Sequence, residues 1–168
     1  MSLLPIRVFP DPVLTTPATQ VTEIDGALAS LCDSMIETMY DAPGVGLAAN
    51  QIGVAQRFFV YGAGDGPRVV INPRIVETSG EWEYDEGCLS VPGMGWPITR
   101  PGTVHLVGLD LQGHELDVVA TELEARIFLH ETDHLDGRLL LDRLDDDERR
   151  EALRELRGRR LRLGRRAD

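Results

Sequence analysis

The sequence predicts an α+β fold: antiparallel or mixed β-sheets packed around one central helix, with a further helix near each terminus. Three observations carry this. Residues 57–120 hold short apolar runs bounded by Gly, Asp and Pro, the pattern of strands. Residues 25–41 space Leu28, Leu31, Cys32, Met35, Ile36 and Met39 by alternating steps of three and one, the period of an amphipathic helix. Residues 121–137 place Leu123, Ile127, His130 and His134 at i, i+4, i+7 and i+11, a single stripe on a second helix.

In chain order, residues 1–23 are rich in Pro and Thr and read as extended surface chain. In the helix over 25–41, Cys32 lies on the apolar face, where a free cysteine is a core residue. The stretch Gly44-Val45-Gly46-Leu47-Ala48-Ala49-Asn50-Gln51 follows. Its small residues permit close backbone approach to a ligand or neighbouring element, or simply a tight turn. It lacks the third glycine of a dinucleotide fingerprint. Phe58-Phe59-Val60-Tyr61 and Val69-Val70-Ile71 read as strands. Residues 103–111 and 115–120 flank the hairpin turn Gln112-Gly113-His114, which leaves His105 and His114 as strand-surface and turn residues. Between them, Gly93-Met94-Gly95-Trp96-Pro97 reads as a flexible, partly apolar loop able to edge a groove. Thr121 with Glu124 forms the pattern of a capping box, and Gly137 stands where that helix ends. The last helix starts at Asp145, with Asp146, Asp147 and Glu148 in its first turn and arginines towards its end, as the helix dipole favours.

A length of 168 residues suits one domain. The net charge of −11 is split: residues 1–144 hold 8 Arg against 21 acids, a balance of −13, while residues 145–168 hold 9 Arg against 7 acids, a balance of +2. The expected organisation is therefore a catalytic unit over 1–144 and an arginine-rich C-terminal segment over 145–168, within the same domain or appended to it. Within the latter, residues 149–166, from Arg149 to Arg166, carry 9 Arg against Glu151 and Glu155. Its apolar positions are sparse (Leu153, Leu156, Leu161, Leu163), so most of it is expected to face solvent. No apolar run approaches a membrane span, and Met-Ser-Leu-Leu-Pro does not open a secretory signal. The expected location is cytoplasmic, with neither membrane nor DNA as a partner. There, Cys32 and Cys88 serve core or metal roles rather than a disulfide.

His130, Glu131 and His134 form H-E-x-x-H. On a helix the two imidazoles share a face and can grip one metal ion, with the carboxylate beside the water that the ion carries. The extended pattern with a third histidine fails, because Gly137 is in place but Leu140 occupies the ligand position. The remaining third donor is Cys88, 42 residues upstream of His130 within Glu86-Gly87-Cys88-Leu89-Ser90.

The motifs over residues 44–51, 86–90 and 130–134 resemble, in order, the three signatures of peptide deformylase. The likeness extends from Arg7-Val8-Phe9-Pro10-Asp11 to the end of the H-E-x-x-H helix. The resemblance implies removal of the formyl group from the N-terminal formyl-methionine of newly made polypeptides, with release of formate. It implies Cys88, His130 and His134 as ligands of one divalent ion, Fe²⁺ first, with Zn²⁺, Ni²⁺ or Co²⁺ as substitutes. Glu131 is then the general base, and the Gln51 side chain and Leu89 backbone N–H hold the oxyanion. Val45, Gly46 and Gly87 line the substrate, with Gly46 and Gly87 letting its backbone pair as an added strand. Glu86, Arg100 and Asp133 support the site, the first two as an ion pair. Because some bacterial deformylases dock near the ribosomal exit tunnel through a basic C-terminal helix, the ribosome is an expected partner of residues 149–166. Three departures bear on pocket shape: Pro43 replaces a common acidic residue, Leu129 a common glutamine, and residues 93–99 lack a basic residue found in some members. The rivals are a metallopeptidase cutting internal amides, and a structural metal protein whose tail binds RNA. The first has no use for a formyl group; the second has no use for Glu131.

Overall fold

The computed structural model describes residues 2–62 and 64–165. In chain order it contains α1 (Gly26–Asp41), β1 (Gly46–Ala48), β2 (Phe58–Gly62), β3 (Pro67–Ser79), β4 (Trp82–Cys88), β5 (Val91–Arg100), β6 (Thr103–Leu109), β7 (Glu115–Thr121), α2 (Glu122–Leu135) and α3 (Asp146–Gly164). Five strands form one antiparallel sheet in the order β1-β2-β3-β6-β7, and β4 pairs with β5 as a separate antiparallel ribbon. The α+β expectation holds, and the paired strands are antiparallel throughout. Among the described residues, the one parallel pairing is an isolated bridge between Thr19 and Gln56.

The continuous apolar run in β2 follows from burial on both sides. Phe58 and Val60 pack with Cys32, Met35 and Met39 of α1, while Phe59 and Tyr61 face α2. On the α2 side, Tyr61 and Phe128 meet edge to face with ring centroids 5.2 Å apart. A third cluster lies beneath the ribbon, where Val91 and Ile98 pack with Leu14, Leu139, Leu140, Leu141, Ala152 and Leu156. Through it the ribbon and α3 share a core, and Cys88 is held at its edge.

Local signals place most element ends. Asp25 accepts a hydrogen bond from the Leu28 N–H at the start of α1. Asp145 and Glu148 form a true capping box on α3. Gly137 ends α2 with φ +76°, and its missing side chain lets Thr15 pass, since a Cβ would stand 2.9 Å from the Thr15 carbonyl oxygen. The hairpin between β6 and β7 forms as expected, with the Asp110 carboxylate accepting from the Gln112 and His114 N–H groups.

Three expectations are corrected. Thr121 precedes α2 but caps nothing with its side chain: it is still paired with Thr103 in the sheet, and Glu122, at φ +52°, turns the chain directly from strand to helix. Residues 93–99 are not a loop but part of β5, whose Gly and Pro are accommodated on an edge ribbon. Residues 1–23 include a 3-10 turn at Pro12–Thr15 that buries Leu14 completely. The C-terminal helix is largely exposed, as expected, with Ala152 and Leu156 buried in the core while Leu161 and Leu163 remain outside. Arg166, the last arginine of that segment, lies outside the described residues. No helix among the described residues is long and apolar enough to cross a membrane.

Candidate metal centre

Helix α2 brings the His130 and His134 rings together by its own pitch, with Nε2 atoms 3.2 Å apart. Cys88 comes from the end of β4, where the ribbon's register jumps between Gly87 and Cys88, and its Sγ stands 3.3 Å from His134 Nε2. All three donor atoms lie within 4.8 Å of one another. A tetrahedral ion with bonds of about 2.3 Å to sulfur and about 2.0 Å to nitrogen requires separations of about 3.3–3.6 Å, so the closer pairs match.

The chemistry of the donors also fits a cation. His130 Nδ1 is 2.8 Å from Glu86 Oε1; a carboxylate only accepts, so Nδ1 carries the proton and Nε2 turns its lone pair inward. Burial works against a Cys88 thiolate, but the His134 and His130 rings override it and hold the thiol well below its ordinary pKa. Burial likewise opposes charge on His130, yet Cys88 and Glu86 raise it well above the usual imidazole value. A buried set that concentrates one shared proton among a sulfur and two ring nitrogens will exchange that proton for a metal ion.

Glu131 is buried beside this set, and its Oε2 has no hydrogen-bond partner. Burial raises its pKa, with only partial relief from His130 and His134. Gln51 is fixed at its carbonyl end by the Ala48 N–H (2.9 Å). This aims Nε2 at Ser90 Oγ (3.1 Å) and towards Cys88 Sγ (3.8 Å). A cleft of about 500 Å³ opens over these groups, lined among others by Val45, Gly46, Gly87, Leu89 and Met94. Val45 stands half exposed at its mouth. Pro43 also lines it, but Leu129 packs against the α2-side core and does not reach the cleft.

The supporting residues form a charge cluster larger than the expected pair. Glu86 accepts from Arg100 Nε (2.7 Å) and Nη2 (3.0 Å), from Arg126 Nη1 (2.6 Å) and from His130. These partners outweigh burial and hold its pKa at about 2. Arg100 Nη1 continues to Asp133 (2.8 Å), which Arg143 also clasps at 2.7 and 3.0 Å. Asp133 therefore acts on His130 only through Arg100 and Glu86. Sequence reasoning missed Arg126, Arg143, Ser90 and Asn50, whose Nδ2 donates to the His134 carbonyl. Arg126 was findable, since it stands one helical turn before His130 on the same face. Arg143 carries no sequence signal.

An H-E-x-x-H helix, a cysteine donor and an open cleft on an antiparallel α+β frame define a metal-dependent hydrolase. Residues 3–150 match the family model for polypeptide deformylase. A peptide deformylase of Clostridium botulinum is 48% identical over 143 residues, covering 85% of this chain and 97% of the relative. The crystal structure of a peptide deformylase from Legionella pneumophila superposes with a TM-score of 0.89 at 39% identity, covering 96% of this chain and 98% of that one. That of Ehrlichia chaffeensis in complex with actinonin gives 0.90 at 36% identity, covering 95% and 98%. The chain belongs to the polypeptide deformylase family.

Proposed function

We infer that this protein removes the formyl group from the N-terminal formyl-methionine of new polypeptides and releases formate. The carrying observation is the convergence of Cys88, His130 and His134 beside Glu131, whose Oε2 is unpartnered, with Cys88, His130 and Glu131 lining a cleft of about 500 Å³. Cys88, His130 and His134 would hold a divalent ion, which when bound would supply Lewis acidity and lower the pKa of water. Glu131 takes a proton from the attacking water and passes it to the departing methionine nitrogen as the C–N bond breaks. Gln51 Nε2 and the Leu89 N–H receive the negative charge that develops on the formyl oxygen. Gly46 and Gly87, with Val45 at the mouth, let the extended substrate backbone lie against β1 and β4. Glu86, Arg100 and Asp133 keep the His130 ring in its orientation and tautomer, with Arg126 and Arg143 completing the set.

Fe²⁺ is the proposed ion, on the resemblance of the three motifs, and a thiolate with two imidazoles also suits Zn²⁺, Co²⁺ and Ni²⁺. The proposed location is the cytoplasm, where such substrates are made. The ribosome is proposed as a docking partner of α3: Arg154, Arg157, Arg160, Arg162 and Arg165 have no ion pair among the described residues. Formate release from formyl-Met-Ala-Ser by anaerobically purified protein tests the activity. Glu131→Gln should retain metal and lose turnover; cleavage of unformylated peptide at comparable rate would point to a peptidase instead.

A further inference from the structure

The ribbon that carries Cys88 is not regular. Gly87 pairs with Gly95 and Cys88 with Val91, so Pro92, Gly93 and Met94 bulge out of β5 between adjacent residues of β4. All three line the cleft, and Met94 turns its carbonyl towards Gly87, where a Cβ would stand 3.5 Å from that oxygen. The bulge is thus a piece of cleft wall beside the backbone proposed to receive the substrate.

Met94 packs against the core beneath the ribbon, while the side-chain hydrogen bond to the bulge backbone among the described residues comes from outside the ribbon. Gly93 has φ +73°, a conformation glycine adopts without holding it. What reaches it is Arg159, from the fourth turn of α3 and 67 residues distant in sequence. Its Nη1 donates to the Pro92 carbonyl at 2.6 Å, while Nη2 is held by Glu155 Oε1 at 2.6 Å. The guanidinium also stands where a side chain on Gly93 would go, since a Cβ there would meet Nη1 at 3.2 Å. One turn earlier, Leu156 anchors the helix in the core beneath the same ribbon. Arg159 is therefore fixed at both ends: by Glu155 and the buried Leu156 on its own helix, and by the wall it grips.

We propose that Arg159 is a positioning residue for substrate binding: by clamping the Pro92–Met94 bulge it sets the width of the cleft, so the C-terminal helix contributes to peptide affinity. This rests on the reading of the cleft as the formyl-peptide site. Arg159 bonds to neither Glu131 nor the metal donors, so its loss acts on binding rather than on the chemical step.

The test compares Arg159→Ala and Arg159→Lys with the metal-loaded parent, and with Arg74→Ala, an exposed arginine on β3 that removes the same charge elsewhere. Steady-state kinetics on formyl-Met-Ala-Ser are read together with hydrogen exchange at the Gly93, Met94 and Gly95 amides. Arg159→Ala should raise KM about tenfold, the size of one charge-assisted hydrogen bond, with kcat within about twofold. The three amides should exchange faster, Arg159→Lys should recover part of both effects, and Arg74→Ala should change neither. An unchanged KM overturns the inference even if exchange accelerates, and so does a fall confined to kcat. Absence of formate from the parent protein would instead overturn the reading of the cleft, and this inference with it.

Discussion

Gly46 runs so close to Glu131 that a Cβ in its place would stand 2.5 Å from Oε1 and 2.9 Å from Cδ. The proposed general base is thus seated against bare backbone from β1, with its carboxylate at the cleft. Gly46→Ala should push Glu131 out of line and lower kcat by about a hundredfold, the cost of misplacing a reacting group by roughly an ångström. Metal content should stay unchanged, since no metal donor is touched. A variant within threefold of the parent would show that Glu131 tolerates displacement.

Arg100 joins two buried carboxylates, Glu86 of β4 and Asp133 of α2, and neither can be left without it cheaply. Arg100→Met should cost about 3–5 kcal/mol by removing two charge-assisted hydrogen bonds from buried Glu86 and one from Asp133, which keep only Arg126, His130 and Arg143 among the described residues. For a chain of this length that is roughly 6–20 °C in Tm by calorimetry at fixed metal loading. Arg126→Met should cost less, because its Nε is already buried without a partner and Glu86 keeps Arg100 and His130. Equal losses would mean that the two arginines bear the cluster alike.

Cys32 is fully buried against α1's core face, and burial, helped by the Asp33 charge, pushes its thiol up to about 12 from 9.0. The folded state therefore holds this proton more tightly than the unfolded one. Its stabilising effect is complete below about pH 9 and is lost as pH rises towards 12. Cys32→Ala should lack this loss, so the stability gap between parent and variant, read from urea midpoints, should shift in the variant's favour across that window. A constant gap would place the Cys32 thiol in contact with solvent.

Deleting residues 149–168 would remove the whole basic segment, but Ala152 and Leu156 are core residues and Arg149 reaches Asp142 (3.3 Å). That truncation should destabilise the whole protein. Removing residues 160–168 leaves these contacts and the Arg159 clamp in place while taking away four arginines. It should weaken co-sedimentation with ribosomes, most visibly at low salt, and preserve turnover of formyl-Met-Ala-Ser. Unchanged ribosome binding would remove α3 as the docking element.

By itself the sequence determined what depends on neighbours along the chain. The pitch of one helix was enough to set His130 beside His134 with Glu131 between them. Hydrophobic period placed α1, β2 and the β6–β7 hairpin, and Asp145 with Glu148 marked the start of α3. Elimination brought Cys88 into the set, and the order of three motifs supplied the family. Tertiary structure decided whatever joins distant segments. Residues 93–99 look like a loop because Gly and Pro weaken any strand signal, yet pairing of residues 95–99 with β4 makes them strand and leaves Gly93 and Met94 in the bulge. Arg126 and Arg143 look like ordinary surface charges until Glu86 and Asp133 arrive from elsewhere to neutralise them. The C-terminal segment reads as a separate charged tail, because two small apolar contacts and one arginine hydrogen bond leave almost no trace in composition. Periodicity and capping are local and cost little to recognise; charge pairing and edge packing exist only once the chain has closed on itself.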